Sequence, residues 1–228
     1  MRGVLASRAR ASARPTRRAT SRAMPALVAL DRDGVINADV GAPGVIDVER
    51  LVLLPGAARA VRALNDAGVR TCVCTNQTCV GKGYVTERYL VETVHGRLRE
   101  LLRAEAGAEL GEIYYATKTK DVACERRKPA GGMVLEALAA AGVRGEECVF
   151  VGDTVTDMQA AARAGVRRAL VCTGYGNIMG DALRERNVKL PTTIAMRADD
   201  PTLSFPDECF PFDVYEDLSH FVSCILDV

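Results

Sequence analysis

The chain has 228 residues, 48% of them hydrophobic, and sets 30 lysines and arginines against 29 acids. That is enough apolar material for one substantial core, and no apolar run approaches the roughly 18 residues of a membrane-spanning helix. The near-neutral total conceals an asymmetry, because residues 1–24 hold seven arginines and no acid, leaving 23 basic residues against 29 acidic ones and no basic footprint for a nucleic-acid backbone.

Eight cysteines are scattered without a Cys-x-x-Cys pair or a secretory apolar segment ahead of them, which reads as reduced thiols of an intracellular protein. Residues 1–24 are rich in Arg, Ala and Ser, the composition of a mitochondrial or plastid transit peptide; without that address the protein would be cytoplasmic. Residues 25–228 are read as one α/β domain with a C-terminal extension. Residues 26–30 form an uninterrupted apolar run, fitting a strand covered on both faces in a parallel sheet. The run ends directly in Asp31, Arg32 and Asp33. If strand geometry persists for two more residues, the two carboxylates point to one side and Arg32 points away, before Gly34 releases the chain into a turn. A solvated Asp-Arg-Asp-Gly turn is the competing reading of this stretch taken alone.

Residues 38–54 read as a loop with a hairpin-like return, and Pro55-Gly56 opens a helix burying Ala57, Val61, Leu64 and Ala67. Its stop, Ala-Gly-Val-Arg, recurs at residues 141–144 and 164–167, marking three helix ends. A second buried strand at 71–75 delivers Thr75, Asn76 and Gln77. Thr86 then caps a longer helix with an inner stripe of Leu90, Val94, Leu98 and Leu101. Strands follow at 113–116, 148–151 and 168–172, with helices at 133–141 and 156–164. Such alternation predicts a Rossmann-like, doubly wound parallel sheet with right-handed crossovers. Beyond Gly174 the periodicity weakens to a short helix at 181–187, no clear period over 189–210, and a closing helix at 217–226.

Four strand ends carry, in order, Asp31 with Asp33, Thr75 with Asn76, Arg127 with Lys128, and Asp153 with Asp157. Doubly wound sheets bind ligands at the carboxyl ends of their strands, so these groups converge on one edge and together describe phosphoryl transfer. Asp31 would attack phosphorus to form an aspartyl phosphate, and Asp33 would protonate the leaving alcohol and later deprotonate water. Carboxylates crowded against a phosphate call for a hard cation, Mg²⁺, assigned to Asp31, the Asp33 carbonyl and Asp153. Thr75 and amides near Asn76 would hold phosphate oxygens, and Lys128, with Arg127 beside it as a further substrate contact, would neutralise transition-state charge. Asp157, four residues after Asp153 on the same helical face, would orient Lys128. Each signal alone is weak, but four in order behind buried strands form a strong combination.

On these motifs the chain resembles the haloacid dehalogenase superfamily over residues 26–172, and within it the branch of heptose-1,7-bisphosphate 7-phosphatases and histidinol phosphatases. Asp31-Arg32-Asp33-Gly34-Val35-Ile36-Asn37, Thr75-Asn76-Gln77, Ile113-Tyr114-Tyr115, Arg127-Lys128-Pro129, and Gly152-Asp153 through Asp157-Met158-Gln159-Ala160-Ala161 carry the resemblance. It implies an essentially capless, Mg²⁺-dependent phosphomonoesterase acting on a small phosphate ester. A heptose bisphosphate leads as substrate, with histidinol phosphate as rival. A polynucleotide 3′-phosphatase or a silent binding protein of the same fold are remoter readings. No nucleic-acid or membrane partner is expected, and the chain is taken as a monomer. The branch often carries a structural zinc held by a Cys-Pro-His segment and a Cys-x-Cys pair. Here Ala116, Lys118, Cys124 and Arg126 stand at matching positions, and one thiolate cannot supply a tetrahedral site, so structural zinc is expected to be absent. Lys118, Lys120 and Arg126 near Lys128 are read as a contact for a second phosphate, with a solvated basic loop as the alternative.

Overall fold

A computed structural model describes residues 23–227, so all but the last two residues of the leader read at 1–24 lie outside it. Seven strands form one sheet: β1 (Leu27–Leu30), β2 (Arg70–Asn76), β3 (Ile113–Ala116), β4 (Cys148–Gly152), β5 (Arg167–Val171), β6 (Thr192–Ile194) and β7 (Phe212–Tyr215). Their order is β3-β2-β1-β4-β5-β7-β6. Central β1 pairs in parallel with β2 and β4, which sets Ala29 level with Cys72 on one side and Phe150 on the other. Around the sheet lie α1 (Ala57–Asp66), α2 (Thr78–Gly81), α3 (Gly96–Ala106), α4 (Gly132–Ala141), α5 (Val155–Arg163), α6 (Asn177–Glu185) and α7 (Leu218–Leu226).

Strand alternation divides β1 between two apolar layers. Val28 and Leu30 pack with residues of α1, α3 and α7, while Leu27 and Ala29 pack with residues of α4 and with Ala161 of α5. Cover on both faces is why β1 is apolar at every position rather than at every second one. The three Ala-Gly-Val-Arg stretches end α1, α4 and α5 as expected.

Three expectations are corrected. The sheet is not wholly parallel, because β6 runs antiparallel to β7. The link between them holds only 3-10 turns, at Arg197–Asp199 and Asp207–Cys209, so no helix carries the chain back across the sheet for a parallel crossover. The helix behind Thr86 opens with a π-helical segment, Tyr89–His95, and its buried stripe runs Leu90, Val94, Leu98 and Leu102, leaving Leu101 only partly buried. A π turn is wider than an α turn, so residues four apart stay in line for longer. The short helix expected at 181–187 begins earlier, as α6. The segments leaving the carboxyl edge are loops, a 3-10 turn at Val48–Arg50 and α2, with no second sheet among the described residues, in keeping with a capless architecture.

Candidate active site

The carboxyl edge gathers Asp31 from the end of β1, Lys128 from the loop after β3, Asp153 from the turn between β4 and α5, and Asp157 from the first turn of α5. All four are buried. The Lys128 ammonium lies 2.8 Å from Asp31 Oδ1 and 2.6 Å from Asp157 Oδ1, above the Phe150 ring at 5.5 Å. Asp157 reaches Lys128, but not by the route that the spacing suggested. Asp153 precedes the helix, so the two aspartates share no helical face. Instead Thr154 caps α5 and Asp157 closes the capping box, its Oδ2 accepting from the amides of Asp153 (3.2 Å) and Thr154 (3.0 Å) and from the Thr154 hydroxyl (2.7 Å). The helix entry and the lysine anchor are therefore one device.

Asp33 stands apart from this cluster. β1 ends at Leu30, and the Arg32 carbonyl accepts from the amides of Ile36 and Asn37, curling the chain so that strand alternation no longer applies. Arg32, expected to point away, is fully buried, and its guanidinium grips Asp33 through Nε (3.3 Å) and Nη2 (2.9 Å to each oxygen). Asn37 Nδ2 and Gln77 Nε2 each donate to Asp33 at 2.9 Å. Burial would raise the Asp33 pKa, but Arg32, Asn37 and Gln77 together outweigh it and hold the carboxyl below its ordinary value. Gln77 also donates to the Thr75 hydroxyl at 2.9 Å, tying β2 to this turn. The Asn76 side chain donates to the Lys128 carbonyl and accepts from the Lys128 amide, both at 3.0 Å, so it positions the lysine loop. Arg127 Nη1 donates to the Lys128 carbonyl at 3.1 Å.

Two glycines fit the last wall. Gly34 (φ +80°) and Gly174 (φ +54°) both approach Asp153 so closely that a β-carbon on either would overlap its Oδ2. The Thr173 hydroxyl donates to the Gly34 carbonyl at 2.6 Å, and the Tyr175 amide to Asp153 Oδ2 at 2.9 Å. Gly34→Ala, strained by its left-handed φ and by this overlap, should displace Asp153. Isothermal titration with a divalent cation should find its affinity reduced at least tenfold in the variant, the cost of a misplaced ligand being about 1.4 kcal/mol or more. Unchanged affinity would mean that Asp153 moves without consequence.

The family of haloacid dehalogenase-like hydrolases matches residues 18–165. The chain belongs to this family. It is 43% identical over 151 residues to the D-glycero-beta-D-manno-heptose-1,7-bisphosphate 7-phosphatase of Pseudomonas putida, a match covering 66% of this chain and 84% of that one. It is 39% identical over 160 residues to the D-glycero-D-manno-heptose-1,7-bisphosphate 7-phosphatase of Thermosynechococcus vestitus, covering 66% and 80%. Among solved structures, a D,D-heptose 1,7-bisphosphate phosphatase from B. bronchiseptica complexed with magnesium and phosphate superposes with a TM-score of 0.71 at 27% identity, covering 88% of this chain and 98% of that one.

In this haloacid dehalogenase-like hydrolase the donor set fits a hard divalent cation. Oxygens of Asp31, Asp153 and Asp157 lie within 4.8 Å of one another, and Asp153 Oδ1 is buried without a hydrogen-bond partner. Three carboxylates against one ammonium leave an excess of negative charge. Burial first, then the neighbouring carboxylates, push Asp153 up to about 8, and burial pushes Asp31 up to about 7 against the pull of Lys128. The two carboxylates in turn outweigh burial at Lys128 and raise its pKa. Asp157 commits both oxygens to Lys128 and the capping box, so it serves the lysine. Arg32 and Gln77 lie inside the motifs, yet the sequence assigns neither of them a partner, and Thr173 to Tyr175 lie where the periodicity weakens.

Proposed function

We propose that this enzyme is a Mg²⁺-dependent phosphomonoesterase whose substrate is D-glycero-D-manno-heptose 1,7-bisphosphate, cleaved at the 7-phosphate by a monomer in which residues 25–228 form the catalytic unit. The observation that carries the reading is the buried Asp31, paired with an anchored Lys128 and with an oxygen of Asp153 within 4.8 Å of its own. The names of the relatives support the sugar. In this mechanism Asp31 forms a bond to phosphorus as the ester oxygen departs, and water then releases phosphate from the aspartyl phosphate. Asp31, Asp153 and the Asp33 carbonyl would hold Mg²⁺, which would supply positive charge to the transferring phosphoryl group. Lys128 offsets the negative charge that develops on the phosphoryl oxygens, and the Thr75 hydroxyl and Asn76 amide, with Arg127, contact phosphate oxygens. Asp33 gives a proton to the leaving alcohol and takes one from water. In the structure it is held ionised, the form that serves the second step.

Assay of the purified protein with Mg²⁺ on the heptose bisphosphate, histidinol phosphate and a 3′-phosphorylated oligonucleotide tests the reading. Highest kcat/KM on either of the last two would overturn it. The remote phosphate is assigned to lysines. Arg126, which the sequence placed in that loop's binding set, is committed to Glu136 at 3.0 Å and lies over the Tyr115 ring at 5.9 Å. Lys118 and Lys120 are exposed. Lys82, exposed directly after α2, joins them, because Gly81 before it packs against Thr117 and Thr119 of the same loop. Replacing Lys82 and Lys118 by Ala should raise KM for a sugar bisphosphate roughly five- to tenfold, each exposed charge being worth up to about 1 kcal/mol, with little effect on para-nitrophenyl phosphate. Equal effects on both substrates would return the loop to plain solvent.

The leader is proposed to direct import into a plastid or mitochondrion and then to be removed. No helix among the described residues is long and apolar enough to cross a membrane. Fluorescent protein fused to residues 1–30 should enter an organelle, whereas diffuse fluorescence would show that the leader is no address.

A further inference from the structure

His95 closes the π-helical segment, and its wide turn tucks both Val94 and His95 into the interior. The imidazole is 4% exposed and sits edge-on to Tyr115, ring centroids 5.5 Å apart. Its Nε2 is buried without a hydrogen-bond partner, and so is Nη1 of Arg32, the one end of that guanidinium not engaged with Asp33. A buried polar atom left unpaired costs about 1–3 kcal/mol, so two such atoms near each other call for an explanation. They share one neighbourhood, because Tyr115, against which the imidazole sits, is level with Thr75 on β2, and Gln77 bonds both the Thr75 hydroxyl and the Asp33 carboxylate that Arg32 grips. Burial first, and then the Arg32 charge, holds the His95 pKa down to about 3. The ring is therefore neutral at physiological pH. A neutral imidazole has one acceptor nitrogen, and a guanidinium has only donors.

We propose that His95 is a positioning residue for Asp33: its Nε2 accepts from one water that in turn accepts from Arg32 Nη1, and so fixes the guanidinium plane that grips the Asp33 carboxylate. The link rests on the reading above that Asp33 protonates the leaving alcohol. A carboxylate that must deliver a proton across one hydrogen bond depends on its orientation, and a displacement of about 1 Å can cost 10²-fold. Arg32 itself is held on one side by Asp33 alone. His95 supplies the other side, from the end of the π-helical segment.

The test compares kcat/KM, which covers steps through transfer to Asp31, on a sugar phosphate and on para-nitrophenyl phosphate, whose leaving group departs without a proton. His95→Phe should lose about tenfold to a hundredfold on the sugar phosphate and less than about twofold on the aryl ester. His95→Gln, which retains an acceptor, should keep the wild-type ratio. Equal losses on both substrates, no loss on either, or a His95→Gln ratio like that of His95→Phe would overturn the proposal. If His95→Phe does not fold, His95→Met replaces it in the same comparison. The imidazole nitrogen spectrum of the wild-type protein decides independently of turnover. An unprotonated Nε2 is expected, and an Nε2–H tautomer would refute the contact. Absence of wild-type hydrolysis of both esters would refute the phosphatase reading instead.

Discussion

Asp31→Asn should abolish turnover and leave the fold nearly as stable as the wild type. An amide cannot attack phosphorus, so the expected loss is about 10⁴-fold or more, above roughly 5 kcal/mol of barrier. The structural cost is small because the buried Asp31 already resists ionisation, its pKa standing at about 7, and Lys128 keeps Asp157 as a partner at 2.6 Å. Asp33→Asn should behave differently. It too should remove activity, but it strips the partner from a fully buried guanidinium, and breaking a buried ion pair costs about 3–5 kcal/mol. Thermal unfolding of the two variants should therefore diverge, with Asp33→Asn melting well below Asp31→Asn. Residual Asp31→Asn turnover within about tenfold of wild type would end the nucleophile assignment.

The contrast between neighbouring aspartates marks where the sequence was legible. Buried strands leading to Asp31, to Thr75 and Asn76, and to Asp153 can be recognised because strand burial is written locally, as unbroken apolar runs, and parallel topology then brings their ends together with the loop after β3 that carries Lys128. The Asp157 partner was also legible, though its path was not, since a helix-face argument and a capping box both place residues three or four apart. Arg32 was misread because alternation was extended past Leu30, where the chain stops being a strand. It pairs instead with Asp33, which Asn37 and Gln77 also hold, the last 44 residues along the chain from Asp33, and no local pattern encodes such a set. β7 was missed for a related reason. Phe212 to Tyr215 alternates for only four residues, too few to separate strand from helix, and it is fixed by pairing with β5 and β6. The π turn likewise leaves no periodic signature over seven residues.

The metal-free protein should lose stability as pH rises from about 4 to about 8, and a divalent cation should reverse the loss. Asp31 and Asp153 have folded-state pKa values of about 7 and about 8, above the ordinary 3.8 of the unfolded chain. A carboxyl raised in this way favours folding while protonated, so its contribution is complete below the unfolded pKa and is lost as pH climbs through the folded one. Asp33 has the opposite sign, being held low, and its contribution fades only as pH falls below about 4. Between those limits the two raised carboxylates set the slope. Each tenfold change in an ionisation constant is worth about 1.4 kcal/mol, so the total amounts to several kcal/mol. Mg²⁺ must displace those protons at pH 6 but meets ionised oxygens at pH 8.5, and ligand binding stabilises the fold in proportion to the logarithm of occupancy. In EDTA the melting temperature should fall between pH 6 and pH 8.5. Added Mg²⁺ should raise it far more at the higher pH, with protons released on binding at the lower. If Mg²⁺ raises the melting temperature equally at both values, then Asp31 and Asp153 do not share the cation, and the excess negative charge of the cluster is balanced in some other way.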